Sequence, residues 1–162
     1  MEFTTPDLYD YYENEVQVCE PLFRDFGGRS VFCGPASTVK CFEDNSQIKA
    51  ALAEPGNGRV LVADAGGSLR CAMLGDLIAG GAVTNGWAGV VLWGCVRDSR
   101  VLAAMDLGIK ALATNPRKSQ RRGEGVRDCT VSFAGVRVNP GDWIYADADG
   151  ILVADRRLSP VA

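Results

Sequence analysis

The sequence predicts an α/β fold: a single compact domain over residues 1–162, with a largely parallel core sheet and a β-rich C-terminal third. Three observations predict it. Between residues 59 and 115, short apolar runs closed by glycine alternate with stretches of helical spacing, the pattern of crossover units on parallel strands. Hydrophobic residues make up 47% and charged residues 23% of the 162, a globular composition long enough to bury a core without disulfides or metals. From Asp128 onward the texture changes, and CTVSFAGVRVNPGDWIYADADGILVA reads as short β runs parted by Ala134-Gly135, Asn139-Pro140-Gly141 and Ala148-Asp149-Gly150 turns.

Taken in order, residues 5–18 carry a weak helical pattern. RSVFCGPASTVKCF (29–42) is β-branched and partly alternating, a strand bent at Gly34-Pro35. Asp44 or Asn45 suits an N-cap for a helix reaching about Glu54, where Pro55-Gly56 stops it. RVLVADAGG (59–67) reads as a buried strand, and CAMLGDLIAGGAVTNGW (71–87) has helical spacing. AGVVLWGCV (88–96) is a second buried strand, DSRVLAAMDLG (98–108) a helix and IKALATN (109–115) a third strand. NPRKSQRRGEG (115–125) is a basic loop.

Seventeen Lys plus Arg against twenty Asp plus Glu give a net charge of −3, which argues against nucleic acid or an anionic membrane as a partner. No apolar run approaches the roughly 18 to 20 residues that cross a bilayer, and the acidic start MEFTTPDLYDYYENE lacks the basic and apolar segments of a signal peptide, so a cytoplasmic location is expected. Six cysteines, Cys19, Cys33, Cys41, Cys71, Cys95 and Cys129, show no Cys-x-x-Cys spacing and read as free thiols. Histidine is absent, which excludes Ser-His-Asp and Cys-His triads and imidazole metal sites. Any catalysis must run on carboxylates, arginine, backbone amides or a bound metal.

Arg97 and Asp98 fall at the carboxyl end of a predicted parallel strand, the edge where open α/β sheets bind ligands. The structural alternative is that Asp98 caps the following helix and Arg97 forms a surface ion pair. Upstream, Gly75 precedes Asp76 at the start of another helical stretch. There the amides of Asp76, Leu77 and Ile78 would be first-turn donors suited to a carboxylate or phosphate, unless Asp76 is only a dipole-favoured first-turn acid. Twenty residues separate Asp76 from Arg97, giving Asp-x20-Arg-Asp.

With that motif, FRDFGGRS (23–30), TVKCFEDN (38–45), GRVLVADAGGSLRCA (58–72) and GIKALATNPRKS (108–119) closely resemble the regulator of ribonuclease E activity A (RraA) family, from about Pro6 to Val153. The resemblance implies a compact swivelling β/β/α domain in a ring-shaped homotrimer, or a hexamer of paired trimers. Relatives lacking the aspartate after the arginine bind and inhibit ribonuclease E. Those with the complete motif resemble class II 4-hydroxy-4-methyl-2-oxoglutarate aldolases, which also decarboxylate oxaloacetate.

Carried onto this chain, the resemblance makes Asp98 the ligand of a divalent cation and Asp76 the holder of its waters. Arg97 would contact the substrate's keto oxygen, and Gly75, Asp76, Leu77 and Ile78 would form the turn whose amides take the substrate carboxylate. One or two carboxylates without imidazole or thiolate suit Mg²⁺ or Mn²⁺ better than zinc. The longer aldolases bring an acidic residue on a C-terminal extension; ending at Ala162, this chain is expected to favour decarboxylation of oxaloacetate over aldol cleavage.

The competing expectation is an interaction protein that masks ribonuclease E or an RNA helicase. Direct RNA binding through Arg117, Lys118, Arg121 and Arg122 is disfavoured, because no aromatic is interleaved for stacking and a solvated loop or subunit contact explains the charges. ADAGGSLR (63–70) lacks the spacing of a phosphate loop and reads as a tight strand exit. No signature supports an older family label, a methyltransferase of menaquinone synthesis. Trp87, Trp93 and Trp143 are expected in the core or an interface.

Overall fold

Residues 2–159 are described by a computed structural model. Helix α1 (Thr5–Tyr12) is short; the Thr4 side chain accepts from the Asp7 amide and Pro6 lies in the first turn. The expected helix over 5–18 stops there because residues 16–18 form β1 (Val16–Val18), paired antiparallel with residues 152–154. Then come β2 (Arg24–Asp25), β3 (Phe32–Lys40), α2 (Ser46–Leu52), β4 (Val60–Asp64), β5 (Ala72–Leu74), α3 (Asp76–Thr84), β6 (Gly89–Trp93) and β7 (Cys95–Val96). After them follow α4 (Ser99–Leu102), β8 (Gly108–Ala111), β9 (Ala113–Thr114), β10 (Val126–Arg127), β11 (Val131–Phe133), β12 (Val136–Val138), β13 (Trp143–Ala146) and β14 (Ile151–Ala154).

The large sheet runs β1-β14-β13-β3-β4-β6-β8-β2, with β10 also paired to β3. Only β3-β4-β6-β8 is parallel; every other pairing in it is antiparallel. The expectation of a largely parallel sheet therefore holds for its centre and fails for its flanks. The C-terminal third re-enters by tight turns, and such turns permit only antiparallel neighbours. Strand β3 joins the two halves: residues 32–35 pair with β13 and residues 36–40 with β4. At the bend, a Cβ on Gly34 would overlap the Gly58 carbonyl oxygen, so only glycine fits.

Alternation along each strand sets the layers. Leu61 and Ala63 of β4, with Val90 and Leu92 of β6, face Ile48 and Leu52 of α2 and Ala79 and Ala82 of α3. Val60, Val62 and Val91 face the other way, onto Val131 and Phe133 of β11, Ile144 of β13 and Val153 of β14. Burial on both faces is why these runs read as continuously apolar rather than alternating. Behind the antiparallel strands, Tyr145 and Leu152 pack on Leu8 and Tyr12 of α1. The expected β/β/α stack thus carries a fourth layer, α1.

Two predicted strands are each split. The run 88–96 breaks at Gly94 into β6 and β7, and 109–115 breaks at Leu112 into β8 and β9, with the Leu112 amide donating to the Gly94 carbonyl at 3.0 Å. Past the breaks, β7 lies between β5 and β9 in a separate parallel sheet. Strand β5 is itself a correction, since 71–87 reads as helical throughout. The helix expected over 98–108 shrinks to the four residues of α4, because Met105 and Leu107 turn their carbonyls to the amides of Gly28 and Arg29. The carboxyl ends of β5, β7 and β9 consequently point the same way and release Gly75-Asp76, Arg97-Asp98 and the basic loop side by side.

Candidate active site

A pocket of about 50 Å³ opens at those three strand ends. Its lining brings together all the motif residues: Gly75, Asp76, Leu77, Ile78, Arg97 and Asp98. The Arg97 amide donates to the Leu74 carbonyl at 2.9 Å, which locks the end of β7 to the end of β5. The Asp76 amide donates to Asp98 Oδ2 at 3.0 Å, joining the two carboxylate-bearing segments directly.

Local backbone explains that contact. Asp98 has φ 56° and ψ 36°, the left-handed region in which aspartate is among the few residues tolerated. It occupies the N-cap position of α4, yet its side chain makes no capping bond. The helix-cap explanation of Asp98 is therefore set aside: the left-handed turn aims the carboxylate across to α3. Among the described residues Arg97 forms no salt bridge, so its surface ion-pair explanation falls as well. Gly75 permits the approach, since a Cβ there would lie 2.7 Å from Asp98 Oδ2 and 3.4 Å from Arg97 Nε.

At the start of α3, the Ala79 amide donates to the Gly75 carbonyl and the Asp76 amide to Asp98. That leaves the Leu77 and Ile78 amides without a protein acceptor among the described residues, at the positive end of a nine-residue helix, where such donors suit an anion. The Asp76 carboxylate and the Arg97 guanidinium likewise take no protein hydrogen bond among the described residues. Charged groups adjacent to one another yet unpaired are arranged for something other than each other.

The residues fit a hard divalent cation. Asp98 has one oxygen fixed by the Asp76 amide and the other free, Asp76 stands beside it, and the lining contains no thiol. Among the described residues no group of three or more His, Cys, Asp or Glu side chains could hold a metal, so most ligands of such an ion would be waters and substrate oxygens. All six cysteines are free. Burial, followed by the charge of Glu20, pushes the Cys19 thiol up to about 12, and burial followed by Asp64 does the same for Cys41, so neither serves as a nucleophile.

Besides Ala72 and Leu74 of β5, four polar residues line the pocket that the motif alone does not reveal, Asn45, Lys118, Ser119 and Arg121. The basic loop carrying three of them is laced down rather than freely solvated. Its Arg117 carbonyl accepts from the Ala72 amide at 2.7 Å, and Gln120 exchanges backbone bonds with Glu43 and Asn45. Asp44, 1% exposed, takes the Ser46 hydroxyl and the amides of Ser46, Arg122 and Glu124. Burial drives that carboxyl up, but those four donors outweigh it and bring it down to about 2. The signal available beforehand was position: the loop follows a predicted strand's carboxyl end, and both Asn45 and Lys118 fall within the resembling segments.

Fold and corner together define a class: an α/β protein with two unpaired helix-start amides and an unpaired Asp-Arg-Asp cluster at the carboxyl ends of parallel strands. Comparison with known proteins makes the class specific. Residues 5–153 match the model of the RraA-like family, described as Aldolase/RraA, and the chain belongs to that family. A protein of Alkalilimnicola ehrlichii named "Putative 4-hydroxy-4-methyl-2-oxoglutarate aldolase" is 58% identical over 158 residues, covering 98% of each chain. One of the same name from Xanthomonas campestris pv. campestris is 56% identical over 159 residues, covering 98% of this chain and 95% of its own.

Among solved structures, the RNA-processing inhibitor RraA from Thermus thermophilis superposes with a TM-score of 0.95 at 43% identity, covering 99% of this chain and 98% of that one. A Geobacillus kaustophilus structure described as an S-adenosylmethionine: 2-dimethylmenaquinone methyltransferase also gives 0.95, at 47% identity, covering 96% of this chain and 97% of that one. The α/β architecture is thus that of RraA.

Proposed function

We propose that this chain is a divalent-metal-dependent 2-keto acid lyase that decarboxylates oxaloacetate to pyruvate and cleaves 4-hydroxy-4-methyl-2-oxoglutarate by a retro-aldol reaction. The observation that carries the reading is the pocket in which Asp76, Arg97 and Asp98 meet two unpaired helix-start amides while none of the three side chains pairs with another. The names borne by the relatives in Alkalilimnicola and Xanthomonas support it.

In this reading Asp98, with Asp76 through water, holds Mg²⁺ or Mn²⁺. The chemistry such a cation supplies when bound is Lewis-acid polarisation of a keto acid's carbonyl. The Leu77 and Ile78 amides bind the adjoining carboxylate and orient the molecule. Arg97 donates to the keto oxygen, where negative charge collects as the C3–C4 bond of oxaloacetate breaks. Carbon dioxide leaves, its bonding electrons remain as the enolate of pyruvate, and a proton from water returns to C3. Asp76, open at the pocket edge, orients the water that delivers it. For the retro-aldol reaction the same carboxylate must accept the hydroxyl proton, and no histidine exists to share the task.

A homotrimer or paired trimers in which a neighbouring subunit covers this edge belongs to the same reading, and Leu77, 86% exposed in the first turn of α3, is open to such a contact. Six free thiols suit a reducing cytoplasm.

Asp98→Ala tests the function. Pyruvate formation from oxaloacetate with Mg²⁺, corrected for the metal-only rate, should fall about 10²- to 10³-fold. An unchanged rate removes the lyase.

The Thermus neighbour, named as an RNA-processing inhibitor, favours a second reading in which the trimer binds ribonuclease E or an associated RNA helicase through its surface. Arginine-rich segments fit a chain of net charge −3, so capture of ribonuclease E should occur at low salt and fade as salt rises. No capture at low salt removes this role and leaves the lyase intact.

A further inference from the structure

We propose that a cavity between the two ends of the large sheet, with the Lys110–Asp25 ion pair at its floor, is a binding site for an α-amino acid with an apolar side chain. It shares no lining residue with the motif corner, so it stands whether or not that corner is a lyase.

The first argument is space. The sheet curls until its ends meet: the Cys19 amide, just past β1, donates to the Ile151 carbonyl at 3.0 Å, and Lys110 Nζ of β8 crosses to the Asp147 carbonyl, in the turn between β13 and β14, at 2.6 Å. Beside this seam lies a cavity of about 370 Å³, where the motif corner offers about 50 Å³. Unlike the corner, it has the size of a small-molecule site within one chain.

The second argument is a buried ammonium with a donor left over. Lys110 is 3% exposed, and a lysine is so deeply buried only when its charge is paired. Of its three donors, one goes to the Asp147 carbonyl and one to Asp25 Oδ1 at 3.0 Å. The Asp147 carboxylate is closed to it, because that group accepts from the Thr5 amide and hydroxyl and from the amides of Asp149 and Gly150. The third N–H has no acceptor among the described residues, while Lys110 lines the cavity. Leaving it so costs free energy that an incoming oxygen recovers. Asp25, its side chain 38% exposed, keeps Oδ2 for a donor arriving from the same side.

The third argument is complementarity. A spare ammonium N–H beside a spare carboxylate oxygen matches the carboxylate and ammonium of one α-amino acid, charge for charge. The rest of the lining selects its side chain. Val18, Phe23 and Ile151 supply apolar walls, so an apolar group is drawn in. Glu20 and Asp149 add two carboxylates without an ion-pair partner among the described residues, so an acidic side chain is repelled.

Calorimetry on the intact protein tests the site with three probes of one skeleton: L-leucine, 4-methylpentanoate, which lacks the ammonium, and 3-methylbutylamine, which lacks the carboxylate. L-Leucine should bind wild type, and each of the others about tenfold or more weakly. L-Glutamate should also bind more weakly than L-leucine. Asp25→Asn should weaken L-leucine about tenfold while 4-methylpentanoate stays within about twofold of its wild-type affinity, because that probe has no ammonium to lose. Lys110→Met should weaken L-leucine and leave 3-methylbutylamine within about twofold. Where either variant fails to fold, Glu20→Lys, on the exposed rim, reads the same site: it should strengthen 4-methylpentanoate and weaken 3-methylbutylamine. No heat from L-leucine on wild type at about 10 mM, equal affinity for the three probes, or indifference of both single-charge probes to Glu20→Lys makes Lys110–Asp25 a structural ion pair only and overturns the site.

Discussion

Asp98 shows how one backbone conformation decides the role of a side chain. In ordinary helix-cap geometry its carboxylate would serve α4; at φ 56° it reaches the first amide of α3 instead. Gly75 is the other half of the device. Gly75→Ala should push the Asp98 carboxylate aside, lowering cation affinity and turnover about 10- to 100-fold, while thermal unfolding shifts little because Gly75 is extended at φ −134° and not strained. Titrating metal into the variant measures the first effect and a melting curve the second.

Asp44 makes a pH prediction at the same scale. Its folded carboxyl lies at about 2 against an ordinary 3.8, so the stability it contributes is complete above 3.8 and is lost as pH falls from there toward 2. Denaturant unfolding at pH 5, 3 and 2 should show Asp44→Asn losing stability at pH 5 but converging on wild type at pH 2. The three motif residues were legible in the sequence because each lies at the end of an apolar run. Asn45, Lys118 and Arg121 were legible only by position along the chain, since only the folding of one loop onto the start of α2 brings them there.

Among the elements, the short strands carry the lesson. Gly94 and Leu112 divide runs that look like single strands, and the separate β5-β7-β9 sheet exists because of those breaks. Gly94 is the one local mark, and at Leu112 there is none, because the apolar residues continue across both breaks. Glycine elsewhere in the sheet makes room instead of a break: Cβ atoms on Gly89 and Gly108 would overlap the Phe32 ring, which covers both strands. Gly108→Ala should destabilise the protein by about 1–3 kcal/mol through overpacking, read as a lowered denaturant midpoint at unchanged slope. Activity per folded molecule should persist, since Gly108 lies at the amino end of β8, away from the motif.

For the whole molecule, stacking two sheets between two helical layers buries both faces of the central strands and leaves their carboxyl ends at one rim. That rim is open in a single chain, where the pocket holds about 50 Å³, well under the roughly 300 Å³ or more of common small-molecule sites. A neighbouring subunit supplies the missing wall in the proposed trimer. Light scattering should return three times the chain mass, or six, and a monomeric mass at working concentration would remove that assembly.

The sequence by itself determined the α/β class, the buried parallel centre, the absence of imidazole chemistry and the Asp-x20-Arg-Asp spacing, because composition and periodicity are properties of neighbours along the chain. Only the tertiary structure decided that flanking strands run antiparallel, that Asp98 turns away from its own helix and that Asn45, Lys118 and Arg121 join the same cleft. Those outcomes depend on contacts between segments tens of residues apart, which form when several backbones compete for one set of hydrogen bonds and one core.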